Sequence, residues 1–292
     1  MSTPQHPMNA PFLMGMMRLH EHKAFHDPNQ LADWIQARLE QGLCWFDHAD
    51  IYGDTNGEAL FGNALRRRPS LARHVRIVTK AGIVPEEWDH SPFRVKHYNT
   101  SATYITRAIE AALERLGVEH IDQFLIHRPD PLMDTEATGG ALDAAIAAGK
   151  IGAAGVSNFQ PEQWRRLQGP MTNRLASHQL QLSLTHTDPL FDGSYDALLA
   201  DHLRPMAWSP LGAGAVLGGF TGGLLKRVAH QRRTSPAQLA LTWLRALPGC
   251  PLPVIGTLRP ERIEELLGSD EQPMARADWF ALLEQARGGR VA

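Results

Sequence analysis

Short apolar runs alternate along the chain with longer stretches in which apolar residues recur every three or four positions. This alternation predicts strands joined by amphipathic helices, the pattern of βα units around a parallel sheet. Eight runs are predicted to be strands, and they begin at Phe12, Trp45, Arg76, Asp122, Ala153, Ser177, Arg204 and Leu252. Eight strands separated by helices of similar length favour closure into a (β/α)8 TIM barrel over a doubly wound sheet.

Helix start and stop signals support this alternation. An apolar stripe follows Ser101 and ends at Gly117, a residue type that commonly terminates helices. Further helices are predicted where proline takes the first helical position, at Gln160-Pro161, Ser235-Pro236 and Arg259-Pro260.

No proline-rich linker or shift in charge divides the chain. We therefore predict a single domain over residues 1–292, with the barrel at about 12–267 and a C-terminal extension at 268–292. The extension contains ADWFALLEQARGG, which fits either a helix on the base of the barrel or a part of the substrate rim.

Composition and charge exclude several classes of function. The chain is 43% hydrophobic and has a formal net charge of −2, which leaves no basic excess for binding nucleic acid or an anionic membrane. The basic run from Arg66 to Arg68 is predicted to be a solvated helix end. Only Cys44 and Cys250 are present, the first residues lack a leader pattern, and the weakly polar run 211–225 is too short to span a bilayer. These features indicate a cytoplasmic protein.

Polar residues stand at the ends of three consecutive predicted strands. Asp47 and Tyr52 lie in FDHADIYG, Lys80 ends VTKAG, and His127 lies in FLIHRPD. The C-terminal ends of barrel strands form the active face, so all four side chains are expected at one rim. A buried lysine and a buried aspartate on neighbouring strands must pair, because an isolated buried charge is costly.

Such a pair gives a neighbouring tyrosine a use. A free phenol has a pKa of about 10. An adjacent cation is expected to lower the pKa of Tyr52 and make it a general acid. His127, as a neutral imidazole, would orient and polarise a substrate carbonyl. Each residue alone has a plain structural explanation, as a helix cap, packing, a snorkelling side chain or a core histidine. Their combination favours the catalytic interpretation.

The segments FDHADIYG, VTKAG, FLIHRPD, GVSNF and MAWSPLG, in this order, resemble the signatures of the aldo-keto reductase superfamily. The resemblance extends from about Gly15 to Leu267, and HRPDPLMD and RPMAWSPLG are similar to its bacterial oxidoreductase branch. It implies a (β/α)8 barrel that reduces aldehydes or ketones with NADPH. In that family pattern Tyr52 is the general acid, Lys80 and Asp47 tune it, and His127 orients the carbonyl.

The same resemblance implies a set of cofactor contacts. Those to the nicotinamide are Ser157, Asn158 and Gln179 for the carboxamide and Trp208 for ring stacking. Those to the pyrophosphate are Ser209, Leu211, Gly212 and Gly214, where small residues let backbone N–H groups approach. Thr257, Arg259 and Arg262 are the implied contacts to the adenosine 2′-phosphate, and Gly256 and Glu265 complete the implied cofactor-binding set in this segment.

Two guanidinium groups suit a phosphate dianion, so NADPH is preferred to NADH. Arg262 and Glu265 could instead form a solvent-facing helix with local ion pairs. Two positions depart from the family pattern: Leu266 replaces a common asparagine, and Gly256 replaces a lysine found in some members. A Rossmann site is disfavoured, since Leu217 occupies the third glycine position of that fingerprint.

Substrate identity is expected to come from the loops, with Met17, Trp88, Phe93 and Tyr98 as plausible pocket walls. Two other functions remain as alternatives. One is an NADPH-binding redox-sensing or regulatory subunit with little turnover, against which the intact Tyr52 and Lys80 argue. The other is a metal-dependent hydrolase that uses Asp47, His48, Asp50 and His127. It is disfavoured because Asp47 and His48 point to opposite faces of a strand, and no metal is expected.

Overall fold

The computed structural model describes residues 10–268 and 273–290. The stretch 1–9, on which the leader prediction rests, and the positions 269–272 and 291–292 of the predicted C-terminal extension lie outside the described residues. Ten strands are described: β1 Leu13–Gly15, β2 Trp45–Asp47, β3 Arg76–Ala81, β4 Ile83–Val84, β5 His97–Tyr98, β6 Ile121–Ile126, β7 Ile151–Ser157, β8 Ser177–Gln181, β9 Arg204–Trp208 and β10 Leu252–Ile255.

Eight of these strands form a closed barrel in the order β1-β10-β9-β8-β7-β6-β3-β2. Each predicted run overlaps one barrel strand, and the predicted (β/α)8 class is confirmed. By their contacts the described residues divide into two compact units that meet in the chain between His178 and Gln179. The single-domain boundaries therefore stay a prediction.

Ten α-helices accompany the strands within the described residues. They are α1 Pro28–Glu40, α2 Asn56–Arg67, α3 Ala102–Leu116, α4 Thr135–Ala147, α5 Pro161–Gln168, α6 Ser194–Ala200, α7 Gly219–Arg232, α8 Pro236–Arg245, α9 Pro260–Leu267 and α10 Arg276–Arg287. None of the helices in the described part of the chain is long and apolar enough to cross a membrane.

The predicted helix ends agree with the structure for the physical reasons given. The Ser101 hydroxyl accepts from the Tyr104 N–H at the start of α3, and Gly117 ends that helix in the left-handed conformation with φ 66°. Ser235 and Gln238 form a reciprocal capping box at α8. The helices α5 and α9 begin at the prolines that predicted them.

In the first unit, the basic run at the end of α2 is more tightly held than a solvated helix end. Arg66 donates to the carbonyl oxygens of Glu114 and Arg115 at 3.3 Å, and Arg68 is ion-paired with Asp33 at 2.5 Å. The close approach of α3 explains the contacts of Arg66, whereas the partner of Arg68 lies on α1. Gly62 makes that approach possible, because a Cβ there would collide with the Arg115 backbone.

In the second unit, α10 is attached to α8 by two tryptophans. The indole rings of Trp243 and Trp279 stack with centroids 4.9 Å apart and planes 7° from parallel. Each indole N–H donates to the other residue's carbonyl oxygen, at 3.1 Å from Trp243 and 2.9 Å from Trp279. The segment ADWFALLEQARGG thus contains a helix with a specific attachment.

Candidate active site

Three neighbouring strands of the first unit hold the predicted catalytic residues in register. Beyond the end of β2, the His48 N–H donates to the Val78 carbonyl at 2.7 Å and the Asp50 N–H donates to the Lys80 carbonyl at 2.9 Å. Beyond the end of β6, the His127 N–H donates to the Ala81 carbonyl at 2.8 Å. The strand pairing therefore continues into the loops and fixes the backbone on which the polar side chains stand.

Lys80 is the centre of this group. Its ammonium lies 2.8 Å from both carboxylate oxygens of Asp47 and 2.7 Å from the His48 carbonyl oxygen, and its side chain is 1% exposed. The predicted pair of buried charges is therefore present. The same Nζ atom lies 5.1 Å from the centroid of the Tyr52 ring, which places a cation beside the phenol.

The balance of charges and burial keeps protons on both Tyr52 and Lys80. Burial raises the pKa of Tyr52 above its ordinary value, although the Lys80 ammonium acts to lower it. The expected net lowering of the Tyr52 pKa is therefore wrong for the chain alone, because desolvation outweighs the cation. Burial alone would lower the pKa of Lys80, but Asp47 and Tyr52 raise it overall. Tyr52 is thus a phenol that can donate at neutral pH, and Lys80 can stabilise the phenolate that remains.

His127 stands across from Tyr52. The two ring centroids are 6.1 Å apart with planes at 81°, an edge-to-face arrangement. Burial lowers the pKa of His127 well below its usual value, and Lys80 acts in the same direction. The imidazole is therefore neutral at neutral pH. Its Nδ1 is buried and has no hydrogen-bond partner among the described residues.

A second set of buried charges, not recognised in the sequence, lies in the same unit. Glu58 on α2 is fully buried and accepts from the Arg115 guanidinium at 2.7 Å and from the Thr79 hydroxyl at 2.6 Å. Asp50 is 4% exposed, and burial together with the Glu58 carboxylate raises its pKa to about 8. Asp50 is thus largely a neutral carboxylic acid at neutral pH.

One signal in the sequence could have revealed Glu58. It precedes Phe61 by three positions and Leu65 by seven, so it falls on the apolar stripe of α2. A charged residue on such a stripe requires a buried partner. The hydrolase alternative fits this geometry less well, because the Asp47 carboxylate holds Lys80 and the His48 ring packs edge-to-face on Phe61 with centroids 4.7 Å apart.

The predicted pocket walls occupy loops of the first unit. Met17 and Phe93 are exposed, and Tyr98 lies on β5, which pairs antiparallel with β4. The Trp88 indole N–H donates to the Asp54 carboxylate at 2.7 Å. Asp54 belongs to the run Gly53 to Thr55 directly after Tyr52, and all three of its residues have positive φ.

Two predicted cofactor contacts belong to the first unit. Ser157 ends β7 and is buried, whereas Asn158 is half-buried and adopts the left-handed conformation with φ 62°. The Asn158 amide nitrogen donates to the Ser157 hydroxyl at 2.7 Å and to the His127 carbonyl at 3.4 Å. The side chain is therefore tied to the backbone of a predicted catalytic residue.

The remaining predicted contacts belong to the second unit. Gln179 is buried in β8, and Trp208 ends β9. After Trp208 the backbone has positive φ at Ser209, Gly212, Ala213 and Gly214. The N–H groups of Gly212 and Gly214 donate to carbonyls of the same loop, to Ser209 at 2.8 Å and to Leu211 at 2.9 Å. These two amides are thus satisfied within the loop, in contrast to the expectation that they face a pyrophosphate.

The segment after β10 presents cations at a helix start. Arg259 is the N-cap of α9, and Arg262 and Glu265 lie on the exposed side of that helix, while Thr257 is half-buried and Gly256 is exposed. Within the described ranges neither arginine is paired with a carboxylate, so the predicted local alternative of an Arg262–Glu265 ion pair is not formed. Two unpaired guanidinium groups at a helix N-terminus fit an anionic phosphate. Leu266, which departs from the common asparagine of the family pattern, is buried.

Comparison with known proteins gives a consistent result. The model of the aldo/keto reductase family matches residues 11–285. The chain is 42% identical to a 6-dehydroglucose reductase of Agrobacterium fabrum over 281 residues, which cover 95% of this chain and 94% of that protein. It is 36% identical to oxidoreductase YdhF of Escherichia coli, with 98% of this chain and 96% of that protein covered.

The fold of this chain is similar to those of solved structures. A thermostable aldo-keto reductase, Tm1743, bound to the inhibitor epalrestat superposes with a TM-score of 0.79 at 23% identity, covering 94% of this chain and 95% of that one. An aldo-keto reductase of Klebsiella pneumoniae in complex with NADPH superposes with a TM-score of 0.77 at 23% identity, covering 96% of this chain and 92% of that one.

Proposed function

The chain belongs to the aldo/keto reductase family, and from this premise we propose that it reduces an aldehyde or ketone to an alcohol with NADPH, with Tyr52 as the proton donor. As a family member it is an NAD(P)H-dependent oxidoreductase, and small carbonyl compounds are its class of substrate. The observation that carries the proposed mechanism is the contact of one buried ammonium, that of Lys80, with the Asp47 carboxylate and the Tyr52 ring.

The proton step follows from these contacts. As negative charge develops on the substrate oxygen, the Tyr52 hydroxyl gives up its proton to that oxygen. The Lys80 ammonium stabilises the phenolate that is left, and Asp47 keeps Lys80 protonated and in place. The proposed role of His127 is to donate a hydrogen bond from its neutral imidazole to the carbonyl, which orients and polarises it.

The residues present fit a phosphorylated dinucleotide. In the first unit, Ser157 and Asn158 offer a hydroxyl and an amide to the nicotinamide carboxamide. In the second unit, Trp208 offers a ring face and Thr257, Arg259 and Arg262 offer donors to a 2′-phosphate. When bound, NADPH supplies the hydride that the chain's own side chains cannot provide. The Arg259 and Arg262 guanidinium groups, which pair with no carboxylate among the described residues, favour NADPH over NADH.

The relatives suggest a first substrate. The proteins of Agrobacterium fabrum and of Novosphingobium aromaticivorans, 42% and 35% identical to this chain, are both named 6-dehydroglucose reductase. A sugar aldehyde of this kind carries the carbonyl that the mechanism requires. We therefore place 6-dehydroglucose first in a panel of aldehydes and ketones.

NADPH oxidation over this panel tests the proposal. Tyr52→Phe removes the proton donor and retains the ring, so kcat is expected to fall by about 10² to 10⁴. Tyr104→Phe is the matched control, since the Tyr104 hydroxyl donates to the Ile83 carbonyl at 3.4 Å, and its kcat is expected to match the unaltered protein. Tight NADPH binding without turnover of any carbonyl would contradict the proposal and favour a regulatory, redox-sensing role.

Cofactor preference is tested separately. Arg259→Ala and Arg262→Ala are expected to weaken NADPH binding by about 10- to 100-fold, the effect of losing one charged hydrogen bond, and to leave NADH binding unchanged. Arg107→Ala, which removes an exposed guanidinium from α3, is the control. Equal losses for both cofactors would contradict recognition of the 2′-phosphate by these residues.

A further inference from the structure

The turn that follows β7 contains a residue in the left-handed conformation. Asn158 has φ 62°, a value that asparagine tolerates better than most residues other than glycine but that is still a minority conformation for it. The turn lies between Ser157, which ends β7, and Pro161, which begins α5. Both of its flanks are therefore fixed by regular structure.

A histidine on the neighbouring strand supplies the restraint. The Phe159 N–H, directly after the left-handed residue, donates to the His178 Nε2 atom at 3.1 Å instead of to a backbone carbonyl. Phe159 and His178 are both 2% exposed, so water does not replace this bond. The ring of His178 also packs on Trp164 of α5, with centroids 5.1 Å apart.

The chemical state of His178 suits an acceptor. Because Nε2 accepts, the neutral ring carries its proton on Nδ1. Burial lowers the pKa of His178 to about 3, so the ring stays neutral and Nε2 stays an acceptor at neutral pH. A buried Phe159 N–H without this acceptor would be unsatisfied, which is strongly unfavourable.

The restrained turn presents one side chain. The Asn158 amide nitrogen donates to the Ser157 hydroxyl at 2.7 Å and to the His127 carbonyl at 3.4 Å. The direction of this side chain follows from the left-handed backbone at Asn158, and the bond from the Phe159 N–H to His178 holds that backbone in place. We propose that His178 is a positioning residue that accepts the Phe159 N–H, keeps Asn158 left-handed and thereby preorganises the Asn158 amide for the nicotinamide. This inference rests on the proposed function, since it takes NADPH as the ligand of Asn158.

Two substitutions of similar size separate the acceptor from the packing. His178→Gln places an amide oxygen near the position of Nε2, whereas His178→Leu fills the space without an acceptor. His178→Leu is expected to lose hydrogen-exchange protection at the Phe159 amide and to weaken NADPH binding by about tenfold, with kcat at saturating NADPH largely retained. His178→Gln is expected to recover most of both losses.

Tyr195→Phe is the control for general destabilisation. It removes a partly buried hydrogen bond, from the Tyr195 hydroxyl to the Pro248 carbonyl at 2.6 Å, and is expected to lower stability without changing NADPH affinity. Should His178→Leu fail to fold, His178→Met makes the same comparison with a flexible apolar side chain whose sulfur accepts only weakly.

The outcomes are distinguishable. Unchanged NADPH affinity in His178→Leu, or equal losses in His178→Leu and His178→Gln, would overturn the role of His178 alone. Failure of the unaltered protein to bind NADPH would overturn the proposed function and this inference together. Loss of Phe159 protection and of NADPH affinity in His178→Leu, with rescue in His178→Gln, is the expected result.

Discussion

Among the described residues of the first unit, two ion pairs have a buried carboxylate: Lys80 with Asp47 and Arg115 with Glu58. In both, nitrogen and oxygen approach to 2.8 Å or less, and the carboxylates are 3% and 0% exposed. They differ in what the cation faces. Arg115 pairs with the Glu58 carboxylate, whose other oxygen accepts a hydrogen bond from the Thr79 hydroxyl. Lys80, in contrast, also lies beside the Tyr52 ring. Burial of an ion pair therefore does not by itself indicate catalysis, and under the proposed mechanism only the pair whose cation lies beside the phenol takes part in the reaction.

The largest expected effect comes from Lys80→Met. Loss of the ammonium removes the stabilisation of the Tyr52 phenolate, so kcat is expected to fall by about 10² to 10⁴. It also removes the cation that pairs with the buried Asp47 carboxylate, which is expected to lower the free energy of unfolding by about 3 to 5 kcal/mol. Steady-state kinetics and urea denaturation measure the two effects. The double variant Lys80→Met/Asp47→Asn should regain stability without activity, and recovery of kcat in it would argue against a catalytic Lys80.

Arg115→Met applies the same change to the second pair. It strands Glu58, and the free energy of unfolding is expected to fall by about 3 kcal/mol, the lower end of the range because Arg115 is partly exposed. The kcat per folded molecule is expected to stay unchanged. Urea denaturation and active-site titration check both expectations, with Arg107→Met on the same helix as the control. A loss of kcat as large as that of Lys80→Met would remove the distinction between the pairs.

Asp50→Asn tests how the buried carboxyl group near the Glu58–Arg115 pair makes stability depend on pH. An unfolded aspartate titrates near 3.8, whereas Asp50 in the fold has a pKa of about 8, so the unfolded state binds fewer protons between these values. Stability should therefore fall as pH rises from about 4 to about 8. Asparagine cannot ionise, so the variant should be more stable at pH 8 by at least about 1.4 kcal/mol, the value of one pKa unit. Urea denaturation at pH 5 and pH 8 measures this, with the exposed Asp196→Asn as control, and parallel curves for variant and parent would contradict it.

The smallest effect is expected for an exposed pair. Lys150 and Glu110 are ion-paired with side chains 41% and 48% exposed, so solvent screens their attraction. Lys150→Ala is expected to change the free energy of unfolding by less than about 1 kcal/mol and to leave kcat unchanged. Thermal and urea denaturation provide the measurement. A larger loss would mean that exposure is a poor guide to the worth of these pairs.

The barrel could be predicted because its strands are buried runs of apolar residues. Such runs can be recognised from the local sequence alone, without knowledge of contacts between distant residues. The small sheet of β4 and β5 was not predicted, since strands of two residues carry no measurable period. Lys80 and Asp47 could be paired in advance because they stand on neighbouring strands. Arg115 and Glu58 are 57 positions apart on different helices, and their meeting depends on packing.

The predicted direction of the Tyr52 pKa shift is wrong for a related reason. Proximity of Lys80 follows from strand order, but the degree of desolvation around the phenol depends on the side chains that close over it. The left-handed turn at Asn158 was also not predicted, because the Phe159 N–H finds its acceptor on another strand. A hydrogen bond between a backbone N–H and a side chain 19 positions away cannot be recognised from the local sequence.

The reciprocal tryptophan pair has an optical consequence. Trp243 and Trp279 hold each other by stacking and by two hydrogen bonds, so detachment of α10 would separate the rings and expose both to water. The fluorescence of these two indoles should then change while the other five tryptophans of the chain still report an intact fold. The pair is thus an intrinsic probe that can time the release of the C-terminal helix without an attached dye.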